Sequence, residues 1–504
     1  MSELNPDVPG THVSIPSFET ADFGSLLDDA ASAAAAASEA GAVDGGKRRK
    51  IIAVASDLDP DPLLALSRAC HDASVPLVIV RSYGLLGTVR VQVRRHRIVE
   101  SKPDNSVPDL RLADPNGIFP SLRKLVDGAD LDGMDSKEHG HVPFVIILIK
   151  AMDKWRDGLK EGRPEGVGAP LRFPQTPDEK AEFRDLVKSM ARKYNDELNF
   201  QEAVSDAYLA YARKDVPWEV AQLLERAERA QSPGAFDLLA VALKRFMDGN
   251  GGQPPLNGSI PDMTAATDPY VALQGAYKAK AEEDRAEMRR ILEGLRLERG
   301  GATPCPEVSE EELTTFCRNV HNLRGLGTRS YAEEFQAHSG EGVSEGDDDG
   351  DAPMPSAAEA EIRDDLMMAT MDPYEVPEHT PLLWHVALRA CDVFRRNHGR
   401  YPGSDGRTTA LDSDATEVQG IIGRVAKSMG LADTDLIKST LLSGERKHAR
   451  EVVRYNNAEI HNVAAVVGGV ASQEAVKLIT GQYVPLDDTY VYNGIAGIAG
   501  VYRF

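Results

Sequence analysis

Four cysteines in 504 residues, Cys70, Cys305, Cys317 and Cys391, include no C-x-x-C pair. A disulfide framework and a zinc ribbon both need closer spacing. Such sparse usage fits a reducing compartment, and a cytoplasmic or nuclear location is the expectation. Positive charge is also in deficit. Lys and Arg total 57 against 79 Asp and Glu, a net charge of -22, so neither nucleic acid nor an anionic membrane is expected as the principal partner. A protein partner or a small ligand fits better. No stretch approaches the run of about 18 consecutive apolar residues that marks a spanning helix. Neither G-x-G-x-x-G nor G-x-x-x-x-G-K-[ST] follows a strand-like run, so the backbone cradle that holds a nucleotide's phosphates is not legible.

What is present is a 42% hydrophobic chain, too long for one core and sufficient for two or three domains. The lead-in, residues 1–50, holds an alanine run from Ala30 to Ala37 in acidic, Gly-rich surroundings and reads as loosely helical or mobile. Lys47 to Lys50 read as a solvated approach to the strand that follows. Ile51 to Ser56 (IIAVAS) is apolar and β-branched, the pattern of a parallel strand covered on both faces. Leu63 to Ala73 has helical spacing and Val75 to Val80 is a second apolar strand, together a strand-helix-strand unit of a doubly wound sheet. Thr88 to Val99 alternates Val89, Val91 and Val93 with Arg90, Gln92 and Arg94, which reads as an edge strand with one wet face.

From about Pro143 the period becomes 3.6, in Phe144 to Trp155, Pro177 to Arg192, Phe236 to Met247 and Asp268 to Leu297. The charge and glycine content of 336–356 predict a flexible loop. Glu459 to Thr480 reads as an apolar helix, and Tyr483 to Tyr492 and Gly500 to Phe504 as strands. The expected organisation is therefore a first α/β part at 51–142, a helical insertion at 143–450, and a return to the α/β domain at 451–504.

Chemistry is hard to find. Asp57, Asp59 and Asp61 stand where a phosphate loop would be; they read as caps of the helix near Leu63, with magnesium as the alternative. Cys305, between prolines and before Glu307, reads as linker ahead of a helix started by a Ser309/Glu312 capping box, because a following Glu raises a thiol pKa. Cys317 and Cys391 read as packing residues. His139 and His141 lack a third ligand and read as polar loop. His461 reads as a hydrogen-bonded core or interface histidine.

Several stretches resemble the regulatory, non-catalytic subunit of the neddylation activating enzyme, a member of the ThiF-like superfamily of adenylating enzymes. They include Arg81 to Gly87 (RSYGLLG), Glu100 to Asn105 (ESKPDN) with Asp109 to Leu112, and Gly258 to Met263 (GSIPDM). Gly399 to Gly403 (GRYPG) and Glu459 to Ala465 (EIHNVAA), running into Gly468, Gly469, Gln473 and Glu474, continue it. The resemblance implies a Rossmann-like, ThiF-type adenylation domain interrupted by a large all-α insertion, which stands where the catalytic subunit carries its thioester cysteine. It implies a heterodimer in which the partner binds ATP and magnesium and receives the ubiquitin-like modifier, while this chain does no chemistry alone.

Leu323 to Phe335 resembles the stretch that contacts the catalytic subunit, which implies interface roles for Arg324, Arg329, Tyr331 and Phe335. In the family a strand-helix-strand segment, with an Arg that reaches the partner's nucleotide site, precedes the stretch resembling Glu3 to Gly10. The adenylation domain is therefore expected to be N-terminally incomplete, with Ile51 to Ser56 at an open edge. Two alternatives are the equivalent subunit of the sumoylation activating enzyme, which lacks a helical insertion of this size, and an independent degenerate nucleotide-binding enzyme.

Overall fold

The computed structural model describes residues 13–15, 17–18, 21–40, 50–104, 106–114, 117–160, 171–230, 234–299, 306–340, 357–405 and 408–504. The chain divides into two compact units, one of Met1–Ile98 with Gly325–Phe504 and one of Val99–Arg324.

The first unit is built on a five-stranded sheet. Its strands are β1 (Ala53–Ser56), β2 (Leu77–Tyr83), β3 (Leu86–Gln92), β4 (Thr489–Asn493) and β5 (Ile498–Tyr502), adjacent in that order. β1 and β2 run parallel, joined through helix α1 (Pro60–Asp72), because a parallel pair needs a crossover. The other three pairings are antiparallel, so the sheet is mixed and only its first pair has the expected parallel arrangement. β2 turns directly into β3, pairing Tyr83 with Leu86. Gly84 makes that turn at φ +58°, and a Cβ there would stand 2.1 Å from Cγ of Tyr455. Both the backbone and the neighbour therefore demand glycine.

Five more helices matter in this unit: α2 (Tyr331–His338), α3 (Ala357–Met371), α4 (Pro381–His398), α5 (Thr408–Ser428) and α6 (Lys447–Tyr455). With α1 they form the main core, where Leu63, Ile79, Leu86, Phe335, Leu388 and Phe394 are buried. On the other sheet face lies α7 (His461–Thr480). Its Val467, Ala471 and Leu478 pack with Val78, Val89 and Val91. Gly87 of β3 lets it close in, since a Cβ there would meet Val467 at 2.4 Å.

Several sequence expectations need correction. β1 is covered on one face only: Val54 is 57% exposed and Ser56 is exposed. Its apolar run is short and α7 covers β2 and β3 instead. β3, expected at an edge with a wet face, is paired on both sides, and Arg90 and Gln92 are buried. Their alternation with valine reflects a buried polar layer. The Asp57–Asp61 carboxylates do not cap α1: Asp59 at the N-cap makes no side-chain cap bond. Asp59 and Asp61 instead pair with Arg395 and Arg396 of α4, at 2.9 and 2.8 Å. Of the late strands, the first is confined to Thr489–Asn493 and the second begins at Ile498. His461 is exposed at the start of α7, which removes the core reading and leaves the interface one. The alanine run belongs to a helix, Phe23–Ala40. Residues 336–338 of the expected loop close α2, whose capping box starts it firmly; 341–356 lie outside the described residues, as do Cys305, Lys47 to Arg49 and Glu3 to Gly10.

The second unit is helical, with Phe144–Lys160, Pro177–Ser189, Ala235–Gly249 and Thr267–Arg299 as its longest helices in chain order. One core gathers Ile147, Trp155, Phe183, Phe200 and Tyr277; another gathers Leu224, Leu239, Phe246, Leu292 and Phe316. The capping box at Ser309 and Glu312 is present in both directions, as the sequence indicates. His139, read as polar loop, is instead buried, with Nδ1 2.6 Å from Glu197 Oε1 and its ring stacked on Phe200.

Two glycines separate conformational need from mere presence. Gly84→Ala should destabilise the chain by more than about 2 kcal/mol, because it adds left-handed strain to a clash with a packed ring. Gly275→Ala, on an exposed helical turn with nothing within 4 Å of the new methyl, should stabilise it by about 0.5–1 kcal/mol. Urea titration of the two variants checks the opposite signs.

Candidate functional site

The segment expected to face a partner begins with Leu323 and Arg324, the last residues of the helical unit; the rest belongs to the α/β unit. Thr328 docks against the end of β3 in both directions, its N–H donating to Val93 O at 2.8 Å and its Oγ1 accepting from Val93 N at 2.9 Å. Ser330 then caps α2, accepting from Glu333 N while the Glu333 carboxylate accepts from Ser330 N. The next two N–H groups of this helix start are met from elsewhere: Tyr331 N donates to Gln92 Oε1 at 2.8 Å and Ala332 N to Ser67 Oγ at 3.0 Å. Ser67 Oγ also donates to Gln92 Oε1, and Gln92 Nε2 donates back to Ser67 O. All the first-turn donors named here thus have partners, as a buried helix start requires.

Deeper in the unit, α2 contributes Glu334, fully buried, whose carboxylate accepts from Arg389 of α4 at 2.6 Å and lies 3.7 Å from Arg90 of β3. Arg389 also donates to the Tyr331 hydroxyl at 2.9 Å, and its guanidinium stands 4.8 Å from the Tyr331 and Phe335 ring centroids. Arg90 reaches Asp488 at 2.6 Å, Thr489 Oγ1 at 3.1 Å and the carbonyl of Arg329 at 3.2 Å. Asp488 in turn accepts from Phe504 N. Burial alone would raise the Glu334 carboxyl, yet Arg389, His338 and Arg90 hold it far below the usual range. Asp488 goes the other way. Burial lifts it to about 6, because Arg90 shares its charge with Glu334 and does not offset the desolvation. Burial, with Arg389 nearby, pushes His385 down to about 3, so its ring, stacked 3.9 Å from that of Phe504, stays neutral.

A cavity of about 50 Å³ opens in this layer beside Asp57, Arg81, Tyr331, His385 and Arg389. That is room for a few water molecules and well short of the roughly 300 Å³ at which small-molecule sites begin. Arg81 at its rim pairs with Asp392. Burial raises the thiols of Cys70, to about 11, and of Cys317 and Cys391, to about 12, so all three are protonated at neutral pH.

The four residues assigned to a partner surface therefore separate. Tyr331 is 7% and Phe335 2% exposed, and both fill the chain's own core. Arg324 and Arg329 are half-buried; Arg329 lies 3.6 Å from Glu359. Sequence reasoning found this segment but missed Arg90, Gln92, Glu334, Arg389 and Asp488. The valine–polar alternation of β3 was the one visible signal, and it concerned Arg90 and Gln92 alone.

No family model matches the chain. It is 34% identical over 451 residues to the NEDD8-activating enzyme E1 regulatory subunit AXR1 of Arabidopsis thaliana, covering 88% of this chain and 73% of that protein. The Xenopus laevis NEDD8-activating enzyme E1 regulatory subunit is 31% identical over 461 residues, covering 90% and 77% respectively. The chain belongs to the family of NEDD8-activating enzyme E1 regulatory subunits. That membership favours the neddylation reading over the sumoylation alternative. The Saccharomyces cerevisiae member is 24% identical over 418 residues.

The Asp488 carboxyl gives the layer a pH signature. A folded value of about 6 against an ordinary 3.8 means the folded state holds this proton more tightly. Its contribution to stability should therefore fall as pH rises from about 4 to about 6 and change no further above, a swing on the order of 3 kcal/mol. The difference in unfolding free energy between the parent chain and Asp488→Asn, from urea melts, should change by this amount across that window. Parallel curves would mean that Asp488 titrates in the folded state as it does in the unfolded one.

Proposed function

We propose that this chain acts as the non-catalytic half of a heterodimer, completing the adenylating assembly while the catalytic subunit binds ATP and magnesium and receives the NEDD8-type modifier as a thioester. Its α/β unit is read as a Rossmann-like, ThiF-type adenylation domain, and the helical region as an insertion within it, occupying the place of a catalytic-cysteine domain. A cytoplasmic and nuclear location goes with this role. The regulatory-subunit names of the relatives support the reading.

The observation that carries it is the outward side of α7. One ridge, Val463, Val467, Ala471, Glu474 and Leu478, is buried on the sheet. The other presents Ala464, Ala465, Val466, Gly469, Val476 and Ile479 to solvent. The helix is long and apolar enough to cross a membrane by length and composition, yet its buried ridge is committed to the sheet. A protein surface is the environment that suits the remaining small and branched side chains, since small residues let a partner's backbone approach closely. Arg329 and Arg324 are proposed as partner contacts, with Tyr331 and Phe335 supporting the segment from within.

The test mixes the full chain with the catalytic subunit of a NEDD8-activating enzyme and measures association and the ATP-dependent thioester. Ala465→Trp should leave the melting of the isolated chain unchanged and weaken association by at least about tenfold, as a bulky side chain in a close-packed interface does. The thioester should form on the catalytic subunit alone. A reductant-sensitive modifier adduct on this chain, or unchanged association of the Trp variant, would count against the proposal.

A further inference from the structure

Helix α3 has a second exposed surface, distinct from α7 and joined to the Arg329 segment at its first turn, where Arg329 lies 3.6 Å from Glu359. Ile362 and Leu366 of α3 are buried in the main core, whereas Glu361, Asp364, Asp365, Met368 and Met371 are exposed on the opposite side. Met368 is 64% and Met371 67% exposed. The position of this ridge is fixed at two points. Arg503, just beyond β5, reaches Glu361 at 3.0 Å and Asp365 at 3.7 Å. The Tyr374 hydroxyl, just past the helix, donates to Ala499 O at 2.6 Å. α3 therefore runs antiparallel to β5, with Met368 between the two anchors. Tyr374 and Val376 extend the apolar surface.

Charge decides what could cover it. Of the seven carboxylates in residues 359–378, Glu359, Glu361, Asp365 and Glu378 meet Arg329, Arg503 and Lys447, and the exposed Asp364, Asp372 and Glu375 outnumber the remaining cation, Arg363. Flexible methionines at the centre and carboxylates around them make a surface that adapts to apolar anchors and selects for positive charge.

We propose that the exposed face of α3 docks a basic, amphipathic segment of a partner protein, with apolar side chains on Met368 and Met371 and Lys or Arg against Asp364, Asp372 and Glu375. Arg329, a proposed subunit contact, meets Glu359 at the start of α3, so the test is run on this chain alone, where its outcome and that of the heterodimer reading are separate.

The probe is a labelled helical peptide with leucine on one face and lysine on the other, titrated into the full chain by fluorescence polarisation. Met368→Glu with Met371→Glu should weaken binding at least about tenfold without changing the melting curve, because both side chains are solvent-exposed. Added salt should weaken binding to the parent chain. Trp218→Glu, a change at an exposed aromatic of the helical unit, should have no effect. The proposal is overturned if the double methionine variant binds the peptide as well as the parent, if Trp218→Glu costs as much, or if a lysine peptide without leucine binds equally. It is also overturned if the parent self-associates and the double variant does not, since the occupant would then be a second copy of the chain.

Discussion

Glu334 enters the core of the α/β unit as a carboxylate out of reach of water, and the surrounding structure is arranged so that it can remain charged. Arg389 comes from α4, Arg90 from the middle of β3, and the Tyr331 hydroxyl from one turn earlier in the same helix. Desolvating these groups costs several kcal/mol for each ion, so the cluster is poor evidence for net stability. What it contributes is orientation. Any shift of α2 along the sheet would leave a buried charge without its partner, whereas an apolar contact would tolerate the slide. Gln92 and Ser67 act in the same sense at the helix start, holding its N–H groups to the sheet.

This constraint links the two parts of the first unit, which lie far apart in sequence. Arg90 belongs to the opening strands; Glu334, Arg389 and Asp488 come after the helical unit has been traversed. β3 and β4 pair across the same gap, with Val89 opposite Tyr490 and Arg90 opposite Thr489. The sheet register and the ion network thus fix the same strand independently. A one-residue slip would exchange Arg90 and Gln92 for valines on the core face.

These long-range relations explain what the sequence disclosed and what it did not. Helices announced themselves through local periodicity, and the Ser309/Glu312 capping box was legible because its partners are three residues apart. The resemblance located the family through short stretches such as Arg81 to Gly87. The polar layer could not be read in that way. Alternating valine and arginine in β3 fits a half-wet edge strand as well as a central strand over buried carboxylates, and the difference lies in residues about 240 to 400 positions later. Tyr331 and Phe335 came to an interface through the resemblance of their segment, and residue type could not place them in the chain's own core, since large aromatics serve partner surfaces and cores alike.

The same ambiguity has a physical resolution at α7. Its composition passes for a membrane span and its small residues for a tightly packed core helix, but burial follows only one ridge, at spacings of three and four residues. A helix in lipid would be apolar all round and have no reason to place Glu474 against its own sheet. Here Glu474 is buried and its Oε2 accepts from Leu486 N at 2.8 Å, while Lys477 donates to the other carboxylate oxygen at 2.7 Å. The carboxylate ties α7 to the approach to β4, so the helix is fixed at its C-terminal half before any partner arrives. An outward face held this way is preorganised, and association through it would lose little conformational freedom.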